Sequence, residues 1–91
     1  MIIRLHLGQI VATPPALDLL TRLDLNPAVL LARHASGDWG DLDSEDKASN
    51  DWAVSHQGRL LSSYNVAPDK KIWIITEADR SATTILLPSD Y

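Results

Sequence analysis

The 91-residue chain has no cysteine and no phenylalanine. The absence of cysteine excludes disulfides, thiol catalysis and cysteine-ligated zinc, and it fits a reducing cytoplasm. The absence of phenylalanine leaves Trp39, Trp52, Trp73, Tyr64 and Tyr91 as the only aromatics, so the core must rest on Leu, Ile and Val. No apolar run approaches the roughly 20 residues of a membrane span. Met1-Ile2-Ile3-Arg4-Leu5-His6-Leu7 alternates too early to be the apolar region of a signal peptide. The default reading is a cytoplasmic protein that is not embedded in a membrane. Nothing in the sequence implies a cofactor.

What is present is ordinary for one folded domain. The chain is long enough for a single modest core, with 45% apolar and 22% charged residues. The net charge of −4 is unevenly placed. Residues 38 to 51 hold six acids (Asp38, Asp41, Asp43, Glu45, Asp46, Asp51) against Lys47, a local net of −5, so the remainder carries +1. Such a patch repels a phosphate backbone, which makes nucleic acid an unfavoured partner.

Residues 2 to 7 read as a strand, with Ile3, Leu5 and Leu7 inward and Arg4 and His6 outward. Gly8 reads as a bulge, and Ile10-Val11-Ala12 as a continuation. Thr13 followed by Pro14 is a helix start, and Leu17, Leu20 and Leu23 would form that helix's apolar stripe. Asn26-Pro27 repeats the signal, with Gly37 as the stop. A third helix starts near Asp43, with Asp46 approximating a capping box. It carries Ala48, Trp52 and Ala53 on one face and ends at Gly58. The last third is β-rich: Arg59 to Tyr64, then a turn at Ala67-Pro68-Asp69-Lys70. Lys71 to Glu77 follows, apolar on both faces and therefore central. The Ala78-Asp79-Arg80-Ser81 turn leads to Thr83 to Leu87, returning antiparallel. The expected fold is a single α+β domain over 1–91. A small, mainly antiparallel sheet (the N-terminal strand plus a C-terminal three-stranded meander) would have about three helices on it.

The densest run of chemistry-bearing residues is His34-Ala35-Ser36-Gly37-Asp38-Trp39-Gly40-Asp41-Leu42-Asp43-Ser44-Glu45-Asp46. His34 with Asp38, Asp41, Asp43 and Asp46 offers one nitrogen and several oxygens to a metal, but the spacing fits no ligand template. Read as a calcium loop from Asp41, the run has Asp46 where glycine belongs and Trp52 where glutamate belongs. Read as local structure, His34 lies in the last turn of a helix, where a partly positive ring is favoured, and Asp43 caps the next helix. His34 with Asp38 or Asp41 is the candidate acid–base pair. No nucleophile elbow surrounds Ser36, Ser62 or Ser63, and Gly37-Asp38-Trp39-Gly40 is no P-loop. Arg80, in a polar hairpin, could grip a carboxylate or phosphate through its planar fork. Arg33, Arg59 and Arg80 could instead pair with the acidic run. Trp52 and Trp73 lie on patterned faces and read as core. Trp39, between two glycines, is either a core plug or an exposed anchor for a partner.

The strings LGQIVATPPAL, RHASGDWGDLDSED, GRLLSSY and IWIITEADRSATTILLP resemble a small bacterial family whose members are often labelled plasmid-related proteins. Some of those members carry a restriction-methylase subunit label. The resemblance runs from Leu7 onward and rests mainly on the GDWGD and ITEADRSATTILLP strings. It implies a mobile-element setting and brings no activity or catalytic residue. The chain has no methylase nucleotide-binding loop and is too short for a methyltransferase domain. The leading expectation is a non-enzymatic accessory protein that binds another protein, with Trp39, Asp43, Asp46 and Arg80 as binding residues. The alternative is a small metal-assisted hydrolase or nuclease using His34, Asp38, Asp41 and Asp46.

Overall fold

A computed structural model describes residues 5–91. Strand β1 (Gln9–Ala12) leads into three helices, α1 (Pro14–Arg22), α2 (Pro27–Ala35) and α3 (Ser44–His56). Strands β2 (Leu60–Ala67), β3 (Lys70–Thr76) and β4 (Ala82–Leu86) follow, and a 3-10 turn covers Pro88–Asp90. The described strands form one sheet in the order β1-β4-β3-β2. The meander pairs antiparallel, and β1 lies parallel to β4. This is the expected α+β architecture, with β3 internal.

The helix boundaries follow from local chemistry. The Thr13 side chain accepts from Ala16 N–H and the Asn26 side chain from Ala28 N–H, each with proline in the first turn. The Asp43 side chain accepts from Asp46 N–H at the start of α3. At the end of α2, Asp38 N–H reaches the Arg33 carbonyl and Gly37 N–H the His34 carbonyl. That pattern is a Schellman motif, and Gly37 supplies its positive φ of 84°.

Alternation places Leu60, Ser62 and Tyr64 of β2, Ile72, Ile74 and Thr76 of β3, and Thr83 and Ile85 of β4 on one face. Ala16, Leu20 and Leu30 of α1 and α2 pack there against Tyr64, Ile72, Ile74 and Ile85. A second cluster joins Trp39, Ala53 and Leu60. The helices therefore cover one face. On the other face Trp73 is only half-buried, with its ring edge-on to Tyr91.

Three expectations need correction. The proposed strand at 2 to 7 lies partly outside the described residues, and among the described ones 5 to 8 are not strand. Leu5 N–H instead bonds the Ala35 carbonyl, and pairing begins where Gln9 N–H meets the Ser81 carbonyl, after Gly8 turns at φ 65°. In α1 the buried residues are Ala16 and Leu20, while Leu17 faces out. In α3 the buried residues are Asn50 and Ala53; Ala48 and Trp52 are exposed. The last shift has a physical cause: Asn50 makes backbone-like hydrogen bonds to β2, so a polar residue holds the inner face and the tryptophan is turned outward.

Candidate functional site

The segment from Asp38 to Asn50 lies along the outer edge of β2. That edge strand would otherwise present unpaired peptide groups. At Leu61, Asn50 Nδ2 donates to the carbonyl over 2.6 Å and Asn50 Oδ1 accepts from the N–H over 3.1 Å. At Ser63, the N–H donates to the Trp39 carbonyl and the carbonyl accepts from Asp41 N–H. At Asn65, the N–H donates to Asp41 Oδ2 over 2.8 Å. The N–H groups of Leu61, Ser63 and Asn65 and the carbonyls of Leu61 and Ser63 are thus satisfied by this run. Gly40 forms the close bridge to Ser63 at φ 79°. A Cβ there would overlap the Ser63 carbonyl oxygen and meet the Tyr64 ring at 2.7 Å.

The remaining residues of the run hold the cover in place. Asp38 takes Arg33 through both carboxylate oxygens, at 2.7 and 3.3 Å, and accepts from Gly40 N–H. The hydrogen bond from Arg33 holds the Asp38 carboxyl below the usual carboxylate range. Arg33 also lies over the Tyr64 ring at 4.5 Å. The Tyr64 hydroxyl donates to the Asp38 carbonyl over 2.6 Å, and burial pushes its pKa up to about 12. Trp39 is 4% exposed and donates its indole N–H to Asp51 Oδ1 over 2.9 Å. It occupies the core-plug position, not that of an exposed anchor.

His34 is fully buried at the head of a hydroxyl ladder. Its Nδ1 lies 2.6 Å from Ser62 Oγ and its Nε2 2.8 Å from Thr76 Oγ1. Thr76 Oγ1 is 2.8 Å from Thr83 Oγ1, and Thr83 Oγ1 donates to the Leu7 carbonyl over 2.7 Å. A carbonyl only accepts and each hydroxyl has one proton, so direction propagates from the far end. Thr83 donates to Leu7, Thr76 to Thr83, and His34 Nε2–H to Thr76. Nδ1 then accepts from the Ser62 hydroxyl. The ring is neutral, because burial, aided by the charge of Arg80, lowers its pKa to about 4. The expectation of a partly positive ring at the helix end fails for this reason: desolvation outweighs the helix dipole.

The expected site residues are therefore not brought together as a reactive centre. Both His34 nitrogens are engaged by hydroxyls, Asp38 and Asp41 hold the edge cover, and Asp43 caps α3. The Asp46 backbone N–H completes that cap. Among the described residues, no group of three or more His, Asp or Glu side chains is placed to hold a metal ion. Arg80 spends its fork on backbone. Nη1 donates to the Gly58 carbonyl at 2.6 Å and to those of Glu77 and Ala78, and Nη2 donates to the Ala53 carbonyl at 3.0 Å. It closes the C-terminal end of α3 onto the β3–β4 hairpin. Arg59 pairs with Glu77 at 3.7 Å, not with the acidic run.

Comparison with family models, with curated proteins and with solved structures gives no match. The functional reading therefore rests on geometry.

Among the described residues, the outer side of α3 is one surface that the fold leaves free. Trp52 is 59% exposed. It stacks on His56, one turn later, at 4.1 Å with the rings 2° apart. Beside it lies a shallow depression of about 610 Å³ lined by Ala48, Ser49, Trp52, Ala53, Gly58 and Arg59. Glu45 is on the same side of the helix, seven residues before Trp52 and so about 10 Å along the axis. Helical periodicity would have found this surface had Asn50 been assigned to the buried face. The hydroxyl ladder had a fainter signal: Ser62, Thr76 and Thr83 all occupy inward-phase strand positions. No helix among the described residues is long and apolar enough to cross a membrane.

Proposed function

We propose that the protein is a non-enzymatic accessory protein that works by binding another protein through the outer side of α3. The supporting observation is Trp52: a large aromatic exposed on a helix, stacked on His56 beside a shallow depression, directly after the acidic 38–51 run. Exposed tryptophan in such a setting has the character of an interface hot spot. The acids favour a partner surface that is basic around an apolar pocket, and they would steer its approach. A mobile-element setting for this activity is what the sequence's resemblance to plasmid-related proteins implies, and it is part of the proposal. The metal-assisted hydrolase reading lacks comparable support, since Asp38 is taken by Arg33 and Gly40 N–H, Asp41 by Asn65 N–H, and both His34 nitrogens by hydroxyls.

The test is site-specific photo-crosslinking. Trp52→p-benzoylphenylalanine should capture one predominant protein in extracts of the native cells. The same probe at Val29, equally exposed on α2, should not capture it. Glu45→Lys should weaken the adduct, and Trp52→Ala should leave urea stability within about 0.5 kcal/mol, as befits a surface position. Equal capture from both positions, or none from position 52, would refute the proposal.

A further inference from the structure

The end of the sheet opposite Arg80 carries a second feature with a different chemistry. A cleft of about 390 Å³ lies between α1, the start of β3 and the segment after β4. It is lined by the half-buried Leu19, Leu87 and Pro88 and by the exposed Arg22, Lys70 and Lys71. Among the described residues neither Lys70 nor Lys71 is ion-paired. Arg22 meets Asp18, the one carboxylate of the cleft, at 3.0 Å, with both side chains largely in solvent. Such an exposed pair contributes little and yields readily to a competing anion. The cleft thus has three cations to one acid.

Its walls are fixed in advance. Asp90 Oδ2 accepts from Thr13 Oγ1 at 2.7 Å and from Leu87 N–H at 2.9 Å, while Thr13 Oγ1 accepts from Ala16 N–H. The cap of α1 and the Leu87-Pro88 wall are therefore one clamp. On the other side Pro68 and Asp69, the latter at φ 58°, form the tight turn that delivers Lys70 and Lys71 to the cleft. A preformed concavity of this volume, lined by apolar side chains and a few charged groups, suits a small molecule.

We infer that this cleft binds a small amphipathic organic anion. Its apolar or aromatic body lies on Leu19, Leu87 and Pro88, and its anionic head meets Lys70, Lys71 and Arg22. This site is separate from the α3 surface and does not depend on it.

The probe is 8-anilinonaphthalene-1-sulfonate, titrated by calorimetry, with amide NMR to locate it. The expected result is saturable one-to-one binding with shifts at Lys70, Lys71, Leu87 and Ser89. Affinity should fall about tenfold or more in the exposed double variant Lys70→Gln/Lys71→Gln, and for N-phenyl-1-naphthylamine, the same body without the sulfonate. Lys47→Gln, which removes a lysine elsewhere, should leave it unchanged. The inference is overturned by any of three results: no saturation up to about 1 mM dye, equal affinity in the double variant, or equal affinity for the neutral dye.

Discussion

The side chain of Asn50 faces the peptide groups of Leu61 as a paired strand would, donating over 2.6 Å and accepting over 3.1 Å. This pairing explains why the polar, acidic middle of the chain exists in this form. A sheet edge must be blunted or covered, and here the cover is a loop and a helix whose polar groups match alternate residues of β2. Asp38, Trp39, Gly40, Asp41 and Asn50 are each committed to that cover or to its support. The free chemistry lies elsewhere, at Trp52 and at the Lys70–Lys71 cleft.

His34 makes stability depend on pH. Its folded pKa of about 4 lies below the ordinary 6.5, so the unfolded chain binds more protons between those values and stability rises with pH there. The His34 contribution is fully present above pH 6.5 and is lost as pH falls toward 4. The span amounts to about 3 kcal/mol. Urea unfolding at pH 7, 5.5 and 4 should show this fall in the wild type. The slope should flatten in His34→Gln, which cannot titrate, although that variant is less stable at pH 7.

Arg80 should matter for folding. Arg80→Met removes the donors serving the Ala53 and Gly58 carbonyls and should cost about 2–3 kcal/mol in urea unfolding. Arg80→Lys should recover only part of this, because one ammonium cannot reproduce the planar fork. A loss of less than about 0.5 kcal/mol in Arg80→Met would show that the guanidinium does not clamp α3.

Gly40→Ala should destabilise by about 2 kcal/mol or more, since it combines a left-handed backbone with a Cβ that overlaps the Ser63 carbonyl. The midpoint of thermal unfolding reports this. Gly58→Ala should also destabilise, but by less: Gly58 is not among the positive-φ glycines, yet a Cβ there would lie 2.8 Å from the Ala53 Cβ, which is fixed to its helix backbone.

Elements set by neighbouring residues were legible in the sequence. Thr13-Pro14, Asn26-Pro27 and Asp43 start helices because cap and first turn are contiguous, Gly37 stops one, and the β-branched run at Ile72 to Thr76 makes an internal strand. What required the fold was illegible for a matching reason. The partners of His34 lie 28 and 42 residues away, and nothing near His34 announces them. Hydropathy turned α3 wrongly because Asn50 is buried by hydrogen bonds to β2 while the larger, more apolar Trp52 stays outside. The acids were read as a cluster because sequence distance hides that Asp38, Asp41 and Asp43 point to different partners: Arg33, Asn65 and the α3 cap.

The most direct measurement of the central claim, that the 38–50 segment is a cover for the β2 edge, is amide hydrogen exchange resolved by NMR. In the wild type the N–H groups of Leu61, Ser63 and Asn65 should all be protected. Asn50→Ala should release Leu61 selectively, and Asp41→Ala should release Asn65 selectively. Trp52→Ala should release neither. Rapid exchange at these amides in the wild type, or protection unchanged in both cover variants, would contradict the account.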